Sequence, residues 1–457
     1  MISLSLLLLL ASCLSTTHAD QASPSPSPSA ADFVHNETLS NLAFGSCHKS
    51  VRSKTPVPIW NTIEHTEQHP QAWLWTGDAI YTKGRDEHGK KLYGPAPPEE
   101  LSELYQEMHN NQTIGYASFH ARRPLGVYGT WDDHDMGGND MGVDIPQKQA
   151  RQKAFLEFLG LPHQKNHPDN DDREGVYSSV EWGTAPKKIK AILLDTRWHR
   201  QDHCIPSVAH KWPLGNAIAC ATRWFTAGLR LDQLAWMWHP TNNDCTTNSI
   251  LGETQWTWLE QQLLTSDAQV HIIVSSIQVL TTNPTVESWG HFPKELERLV
   301  QLLETKRQQN MGSVILLSGD VHHAEILRPQ PGLLEVTSSG LTHHCAQPKL
   351  YGHLCQPILS AFHRHRGLEH PDAFYIGLNY GVIQIDWERG TVLVEVKDEN
   401  GEAVLQVTQP IQASSTPLSF SKVPTLWDGH MIPWAQRILV AVTVAVVIGT
   451  RLSRQSY

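Results

Sequence analysis

The chain has 457 residues, of which 40% are hydrophobic and 18% are charged. This composition is typical of a packed globular protein and excludes a chain that is disordered throughout. The formal net charge of -10 gives no reason to expect a nucleic acid as a partner. A chain of this length can hold one large domain or two ordinary ones.

The N-terminal residues have the features of an export signal. A leucine-rich run followed by small residues predicts a signal peptide over 1–19 and export through the secretory pathway. A bacterial lipoprotein site at Cys13 is the alternative, although no Lys or Arg precedes the run, which counts against it. Sequons at Asn36 and Asn111 suit a glycoprotein on the extracellular or lumenal side. A Ser/Pro-rich linker is predicted over 20–40.

Short apolar strands alternate with helical patterns in the following part of the chain. The strands that end in polar side chains are predicted at 41–44, 72–75, 125–128, 189–194 and 314–317, with a further strand at 270–274. Helices are predicted over 97–108, 148–159, 254–264 and 294–305. This alternation is typical of an α/β fold.

The polar groups that follow these strands are candidates for one site. They are Cys47, Asp78 with Tyr81, Asp132 with Asp133 and His134, Asp195 with Arg197, and Asp320 with His322. One such Asp is uninformative, because Asp commonly caps helices or starts turns. Carboxylates gathered at one strand edge would repel one another and partly protonate unless cations held them. The pattern therefore predicts a two-metal centre, in which the ions lower the pKa of a bound water and clamp a phosphoryl oxygen.

The remaining cysteines predict disulfides in the second half of the chain. Two disulfides with one cysteine left over could form among Cys204, Cys220, Cys245, Cys345 and Cys355. The pairs nearest in sequence are Cys204–Cys220 and Cys345–Cys355, but the sequence does not determine the connectivity. The Trp-rich stretch over 198–245 has no clean period, so we expect an insertion held by a disulfide and by aromatic packing.

The pattern changes near the C-terminus. Alternating runs at 381–386, 391–397 and 403–409, separated by turn signals, predict an antiparallel meander that flanks the mixed sheets. A polar stalk is predicted over 411–431.

An apolar segment over 432–450 is long enough to cross a bilayer only if Gln436 and Arg437 lie near one interface. A single-pass membrane helix with a cytoplasmic tail over 451–457 is the first interpretation, because Arg451 and Arg454 follow the segment. The alternatives are a glycosyl-phosphatidylinositol signal and a peripheral amphipathic helix.

Several short motifs resemble those of the PhoD-type alkaline phosphatases. They are FGSC at 44–47, TGDAIY at 76–81, GTWDDHD at 129–135, LDTRWHR at 194–200, LGETQWTWL at 251–259, SGDVHHAE at 318–325 and NYG at 379–381. Each motif alone is weak, but together they follow the order of the family from about residue 41 to about residue 390. The resemblance implies a catalytic domain over 41–410, built from two mixed β-sheets packed face to face as a sandwich with helices outside.

The resemblance also implies iron(III) (Fe3+) beside calcium (Ca2+). Carried over to this sequence, the residues that would hold iron are Cys47, Asp78, Tyr81 and His322. A thiolate and a phenolate are sensible ligands for a trivalent ion, and both must be deprotonated to bind it. Asp78 would bridge to the second ion. Asp133 and Asp320 would hold that ion, and their oxygen ligands favour calcium over zinc.

Two further residues have implied roles in catalysis. His134 would give a proton to the leaving-group oxygen, and Arg197 would bind the phosphate oxygens through its planar guanidinium group. The structural alternatives are that His134 only orients a carboxylate and that Arg197 pairs with Asp195 or Asp132. Candidates that would support the ligands or bind calcium themselves are Asp132, Asp135, Asn139 and Asp195. Other candidates near the site are Gln278, His323, His343 and His344, and we expect two of these three histidines to be structural or surface residues.

We therefore expect a hydrolase of phosphomonoesters, phosphodiesters or both. Its substrate would be a small phosphate ester or a phospholipid head group, and a C-terminal helix would attach it to a membrane. One alternative is a non-catalytic surface glycoprotein that keeps metals for structure and binds a partner through the Trp-rich insertion. Another alternative is a di-metal acid phosphatase of the same architecture, although Cys47 and the carboxylates of WDDHD argue against it.

Overall fold

The strands of this protein assemble into two mixed sheets. The computed structural model describes residues 31–54, 57–65, 69–82, 94–161, 173–204, 206–208, 218–224, 247–309, 312–348, 352–362, 373–412, 414–423 and 426. Within these ranges every helix is too short or too polar to span a bilayer. The predicted signal peptide over 1–19 and the apolar segment over 432–450 lie outside the described residues.

Strands and helices alternate along most of the described chain, and strands alone form its C-terminal part. The strands are β1 (Phe33–His35), β2 (Asn41–Gly45), β3 (Ala72–Thr76), β4 (Val127–Thr130), β5 (Ser178–Trp182), β6 (Ile189–Leu193), β7 (Val270–Val274), β8 (Ser313–Ser318), β9 (Ala324–Gln330), β10 (Leu333–Ser338), β11 (Phe374–Tyr375), β12 (Asn379–Asp386), β13 (Thr391–Asp398) and β14 (Ala403–Pro410). The helices are α1 (Pro58–Glu64), α2 (Pro98–Asn110), α3 (Tyr116–Ala121), α4 (Lys148–Phe158), α5 (Gly252–Leu264), α6 (Pro293–Gln308) and α7 (Cys355–Phe362).

The smaller sheet has the strand order β14-β13-β12-β2-β3-β4. Strands β2, β3 and β4 run parallel, whereas β12, β13 and β14 form an antiparallel meander whose first strand pairs with β2. The meander predicted from the alternating C-terminal runs is therefore confirmed. It extends the parallel part of the sheet, whose strands β2, β3 and β4 are followed by the first three predicted groups of polar residues.

The larger sheet has the order β1-β5-β6-β7-β8-β10-β9-β11. Its centre, from β6 through β7 and β8 to β10, is parallel, and antiparallel neighbours lie on both sides. Parallel strands that are covered on both faces have nearly continuous apolar sequences. Strand β7, with the sequence VHIIV, is an example, because it is buried at every position. The fold is thus α/β with two mixed sheets, as the sequence predicted.

The two sheets pack face to face through a shared apolar core. Phe44 and Leu74 of the smaller sheet lie in one buried cluster with Ile272 and Ile315 of the larger sheet. Helices cover the outer faces. Helix α2 begins at a proline, carries two acidic residues in its first turn and buries the face that its periodicity predicted.

Aromatic side chains fill the layer between the smaller sheet and its helices. Trp60 of α1 lies 5.4 Å from Trp73 and 5.6 Å from Trp75, measured between ring centroids, and both pairs are edge-to-face. Tyr116 and Phe119 of α3 contact the ring of Trp60 from another side. This packing holds β3, the strand that ends at Asp78, against a rigid layer of rings.

The folded domain extends beyond its predicted limits at both ends. Strand β1 lies inside the predicted linker over 20–40 and pairs with β5. In the predicted stalk over 411–431, Leu418 is buried, and its N–H donates to the Glu304 carboxylate of α6 at 2.8 Å. Three residues of edge strand and one isolated apolar side chain show no period, so neither contact could be recognised in the sequence.

The disulfide predictions had different outcomes. The Cys345–Cys355 bond is present, with a Cα–Cα distance of 5.8 Å. The Cys204–Cys220 pairing, which the sequence left open, does not form, because Cys220 is a free thiol while Cys204 is bonded elsewhere. Closeness in sequence does not decide whether two Cβ atoms face each other, which is what a disulfide requires. Most of the Trp-rich insertion lies outside the described residues.

The sandwich predicts a clear contrast between two valines on strands. Val394 is fully buried between the sheets, whereas Val34 on the edge strand β1 is 60% exposed. We expect Val394→Ala to lower the free energy of unfolding by about 2 kcal/mol, because it removes two buried methyl groups and leaves a cavity. Val34→Ala should change it by less than about 0.5 kcal/mol. Denaturant unfolding of both variants measures this, and equal losses would contradict the packing described.

Candidate metal centre

The predicted ligands meet where the strand ends of the two sheets face each other. Cys47, Asp78 and Asp133 follow strands of the smaller sheet, and Asp320 follows β8 of the larger sheet. The expectation of a single strand edge is therefore wrong, since both sheets contribute. The physical reason is the sandwich itself, which brings the ends of two different sheets to one point.

Glycine allows this close approach at both Gly-Asp pairs. A Cβ atom on Gly319 would lie 2.4 Å from the backbone oxygen of Thr76, at the end of β3. A Cβ atom on Gly77 would lie 2.6 Å from the Cβ of Asp132. No other residue fits at such distances, so Gly319 lets the ends of β3 and β8 come together, and Gly77 lets the turn after β3 approach Asp132, which follows β4.

Four of the predicted ligands have a left-handed backbone. The φ angles are 65° at Cys47, 53° at Asp78, 70° at Asp320 and 58° at His322. Non-glycine residues rarely adopt this conformation, and it is enriched at functional sites that the surrounding structure holds in place. Here the sharp turn after each strand directs the side chain toward the common point.

The four residues predicted to hold iron form one contact group. The Asp78 Oδ2 atom accepts a hydrogen bond of 2.6 Å from the Tyr81 hydroxyl and lies 3.6 Å from the Cys47 sulfur. The Tyr81 hydroxyl also lies 3.1 Å from Nε2 of His322. Ligand atoms of Cys47, Asp78 and His322 are all within 4.8 Å of one another, close enough to share one ion.

A second group of ligands adjoins the first. Ligand atoms of Asp132, Asp133 and Asp320 lie within 4.8 Å of one another, and so do those of Asp78, Asp133 and His134. Asp78 thus belongs to groups on both sides, as a bridging carboxylate would. Asp132, which the sequence suggested only as a secondary candidate, lies in the second group together with the two predicted residues.

Burial makes this concentration of acids costly without a cation. Burial, reinforced by neighbouring carboxylates, holds the pKa of Asp78 and Asp320 well above the ordinary value. Burial also raises the pKa of the Cys47 thiol and of the Tyr81 hydroxyl, and it raises the pKa of Asp132 to about 7. The protein alone therefore favours protonated ligands, and bound metal ions would reverse that preference.

The residues present fit a pair of metal ions. The Asp132 Oδ2 and Asp133 Oδ1 atoms are buried and have no hydrogen-bond partner. A buried carboxylate oxygen without a hydrogen-bond partner is unfavourable, so each of these two oxygens is a good candidate to bind a metal ion. Burial lowers the pKa of His322 to about 3, which keeps its imidazole neutral and able to bind a metal.

His134 lies beside this group and lines the adjoining cleft. Its backbone N–H donates to Asp78 Oδ1 at 3.3 Å, and its ring centroid lies 4.1 Å from that of Tyr81. Burial lowers the pKa of its imidazole, although the Asp133 carboxylate opposes the shift. A neutral imidazole retains one N–H group, with which it can donate a hydrogen bond into the cleft.

Arg197 is fully buried in a network of ion pairs. Its Nε atom lies 2.5 Å from Asp132 Oδ1, and its Nη1 atom lies 2.9 and 3.0 Å from the two carboxylate oxygens of Glu287. Arg200 forms a further ion pair with Glu287. The structural alternative of pairing with Asp132 is therefore present, while Arg197 Nη2 has no partner. Contact with substrate phosphate remains a prediction.

Several residues of the site were missed in the sequence, among them Glu287, Ser339 and Lys49. Glu287 anchors the two arginines and stands in a stretch with no motif. The Ser339 hydroxyl lies 3.1 Å from the Cys47 sulfur and accepts a 2.9 Å hydrogen bond from the His322 N–H, so it supports two predicted ligands at once. Ser339 could have been found, because it follows β10 in the same way that the predicted residues follow their strands.

The secondary candidates separate into structural residues and residues at the site. Asp135 accepts from the Ala79 N–H and the Tyr105 hydroxyl, and Asp195 accepts from the N–H groups of Arg197 and Trp198. Asp135 also accepts a 2.9 Å hydrogen bond from the N–H of Asp132, so it supports a residue of the second ligand group, whereas Asp195 holds the turn after β6.

Gln278 lies away from the cleft, because its amide donates to Glu325 and Thr337. Of the three histidines, His343 is nearest to the ligands, since its Nε2 atom lies 3.2 Å from that of His322. His323 is buried near Glu325, at 3.7 Å, and His344 is partly exposed. Asn139 lines the cleft and donates to Asp140.

A cleft of about 830 Å³ opens onto the ligand group. Tyr81, His134 and His322 form its inner wall. Among the described residues that line it, Lys49 is the only Lys or Arg. The cleft is large enough for a small organic molecule beside the ligands.

The fold and this ligand group define an α/β sandwich protein with a candidate two-metal site. The sequence profile of the PhoD-like phosphatases matches residues 42–351, which is more than half of the chain. The protein therefore belongs to the PhoD-like phosphatase family. The family resemblance inferred from the motifs is confirmed.

The likeness extends to a solved structure. A structure described as "Structure of PhoD" superposes on this chain with a TM-score of 0.53 and covers 86% of this chain and 74% of that one. The sequence identity is 16%, so this likeness shows the fold alone. A search of the curated proteins found no match to this chain.

The buried ion-pair network predicts the effect of removing one charge. Glu287→Gln should lower the free energy of unfolding by about 3–5 kcal/mol, because Arg197 and Arg200 would be left buried beside a neutral amide. The matched control is Glu402→Gln at an exposed position, for which we expect a change below about 0.5 kcal/mol. Denaturant unfolding monitors both, and a stable Glu287→Gln protein would argue against the network.

Proposed function

We propose that this protein is a metal-dependent phosphoesterase that hydrolyses phosphomonoesters, phosphodiesters or both. The observation that carries the proposal is the meeting of Cys47, Asp78, Asp133, Asp320 and His322 at one buried point in a member of a phosphatase family. A non-catalytic surface protein would have no need to retain every ligand of such a group. No contact among the described residues favours that alternative.

The donor atoms support iron(III) beside calcium as the metal pair. The first group offers sulfur, phenolate, imidazole and carboxylate donors, whereas Asp132, Asp133 and Asp320 offer only oxygen. Mixed donors suit a transition metal, and oxygen donors alone suit calcium. When bound, the two ions would activate a water molecule and neutralise charge on the phosphoryl group.

The side chains have separate tasks in this proposal. Asp78 holds the two ligand groups at a fixed separation, and the Arg197–Asp132 ion pair fixes the position of the second group. In hydrolysis the oxygen of water bonds to phosphorus, the ester P–O bond breaks, and the proton that water loses balances the one that the alcohol gains. The N–H of His134 donates a hydrogen bond to the leaving oxygen.

Lys49 is the cation best placed to meet the substrate phosphate. It is exposed, it lines the cleft, and its ammonium nitrogen lies 5.7 Å from the ring centroid of Tyr81. Arg197, by contrast, is buried and committed to Asp132 and Glu287. We therefore assign phosphate attraction to Lys49 and give Arg197 the positioning of Asp132 as its main task.

Metal analysis and an assay test the proposal together. We expect the purified protein to contain iron and calcium, and to hydrolyse a chromogenic phosphomonoester, a phosphodiester or both. A chelator should remove the activity, and Asp78→Asn should lower kcat/KM by roughly 100-fold or more together with the metal content, since the substitution removes a bridging negative charge.

The control for this substitution is Asp202→Asn, because Asp202 is exposed and does not line the cleft. It should retain both the metal and the activity. Full hydrolysis by the chelated protein and by Asp78→Asn would overturn the assigned centre.

We also propose a location in the secretory pathway, on the extracellular or lumenal side of a membrane. The support is the N-terminal leucine-rich run, the sequon at Asn36, which is exposed, and the apolar segment over 432–450. The second sequon is less accessible, because the Asn111 side chain donates to the backbone oxygens of Val51 and Ser53 at 3.2 and 3.1 Å.

Fractionation of expressing cells tests this location. The full chain should stay with membranes until detergent is added, whereas a chain that ends after Leu426 should be released. Residue 426 is the right place to stop, because Leu418 and Val423 pack on the domain and a shorter chain would expose that core. Release of the full chain by salt alone would contradict a membrane-spanning segment.

A further inference from the structure

The cleft beside the candidate metal centre is lined by two chemically different sets of side chains. The polar set includes Lys49, Tyr81 and several imidazoles. The apolar set, which we call the apolar wall, consists of Val286, Val321, Pro348, Leu354, Ile358 and Leu359. Among the described residues that line the cleft, none is Asp or Glu. An anion therefore suits the polar set, and a hydrocarbon group suits the apolar wall.

Part of the apolar wall is accessible to solvent. Leu354 is 46% exposed, and Ile358 on α7 is partly exposed. Large apolar side chains exposed to this degree are few among the described residues, the others being Val34 and Val143. Leu354 stands apart from those two because it lines the cleft that opens onto the ligands. Apolar surface left open beside polar groups is typical of a ligand pocket.

The position of the apolar wall relative to the ligands is set by direct bonds. The N–H of Cys345 donates to the backbone oxygen of His322 at 2.8 Å. The disulfide then joins Cys345 to Cys355, the first residue of α7, and Ile358 lies one turn further along that helix. The α7 part of the apolar wall is therefore linked to the ligand group by one hydrogen bond and one covalent bond.

We infer that this cleft selects phosphate esters whose alcohol part is apolar, with the phosphate at the ligand group and the hydrocarbon against the apolar wall. The inference rests on the proposed function and adds the class of substrate to it. Removing hydrocarbon from water is favourable in proportion to the area buried, so each added methylene that reaches the wall should improve transition-state binding.

A series of soluble alkyl phosphates tests this inference in the metal-loaded full-length protein. The substrates are methyl, propyl and hexyl phosphate below their aggregation limits, and phosphate release gives kcat/KM. We expect kcat/KM to rise along the series by up to about fourfold per methylene, which corresponds to ~0.8 kcal/mol of transfer free energy. Propyl phosphate should also exceed glycerol 3-phosphate, which has a similar length and a polar alcohol.

Two variants show whether the wall causes the preference. The double substitution Leu354→Ser with Ile358→Ser should flatten the chain-length series, whereas Val34→Ser, at an exposed position that does not line the cleft, should keep the wild-type slope. Thermal unfolding and metal content of each variant confirm that it is folded and loaded.

Each outcome decides the matter. A flat wild-type series, a preference for glycerol 3-phosphate, or an unchanged slope in the double variant would overturn the inference while leaving a phosphoesterase. Failure to hydrolyse any of the esters would instead overturn the proposed function itself.

Discussion

Like charges buried at one point are the constraint on which this architecture depends. Asp78, Asp132, Asp133 and Asp320 lie together in the interior, where carboxylates repel one another strongly and lack water to stabilise them. Arg197 neutralises the outer side of this group through Asp132. Among the described residues, Asp78, Asp133 and Asp320 form no ion pair with Lys or Arg, and the metal ions proposed above would offset the repulsion that remains. This arrangement supports the proposed phosphoester chemistry more directly than any single motif does.

The sandwich makes this site rigid, because strands of both sheets hold the ligand residues in place. Strands β3 and β8 belong to different sheets, and glycine at 319 avoids a side chain that would keep their ends apart. The left-handed residues after the strands then aim their side chains inward. Such conformations are unfavourable in isolation, and they persist because the packed core over-determines them. The packed sandwich thus holds the left-handed, acidic residues of the candidate site in place.

The cleft combines this polar centre with a different kind of surface. The imidazoles and Lys49 suit a phosphate, while the apolar wall suits a hydrocarbon group. The Cys345–Cys355 disulfide links the ligand group to the α7 part of the apolar wall, because its first cysteine is hydrogen-bonded to His322 and its second begins α7. A disulfide predicted only from spacing therefore acquires a role in relating the ligand group to the substrate cleft.

Much of this protein could be predicted from local patterns in its sequence. Periodicity predicted β2, β3, β4, β6, β7, β8, the main helices and the C-terminal meander, since burial of one face or of both imposes a regular spacing of apolar residues. It did not predict β1, β5, β9, β10 or β11. The polar strand ends could be recognised for the same reason, because each stands at a fixed place relative to its own strand. The family resemblance rests on these short segments as well.

Contacts between distant segments were decided only by the tertiary structure. The sequence could not show that the strand ends belong to two sheets, that Glu287 holds Arg197, that Ser339 supports Cys47, or that Cys220 is not the partner of Cys204. Each of these depends on which surfaces pack together and on where a side chain points, and neither leaves a local pattern. Local sequence therefore determined most of the elements and the chemistry of the residues that follow them, while packing decided which charged groups meet in the candidate metal site.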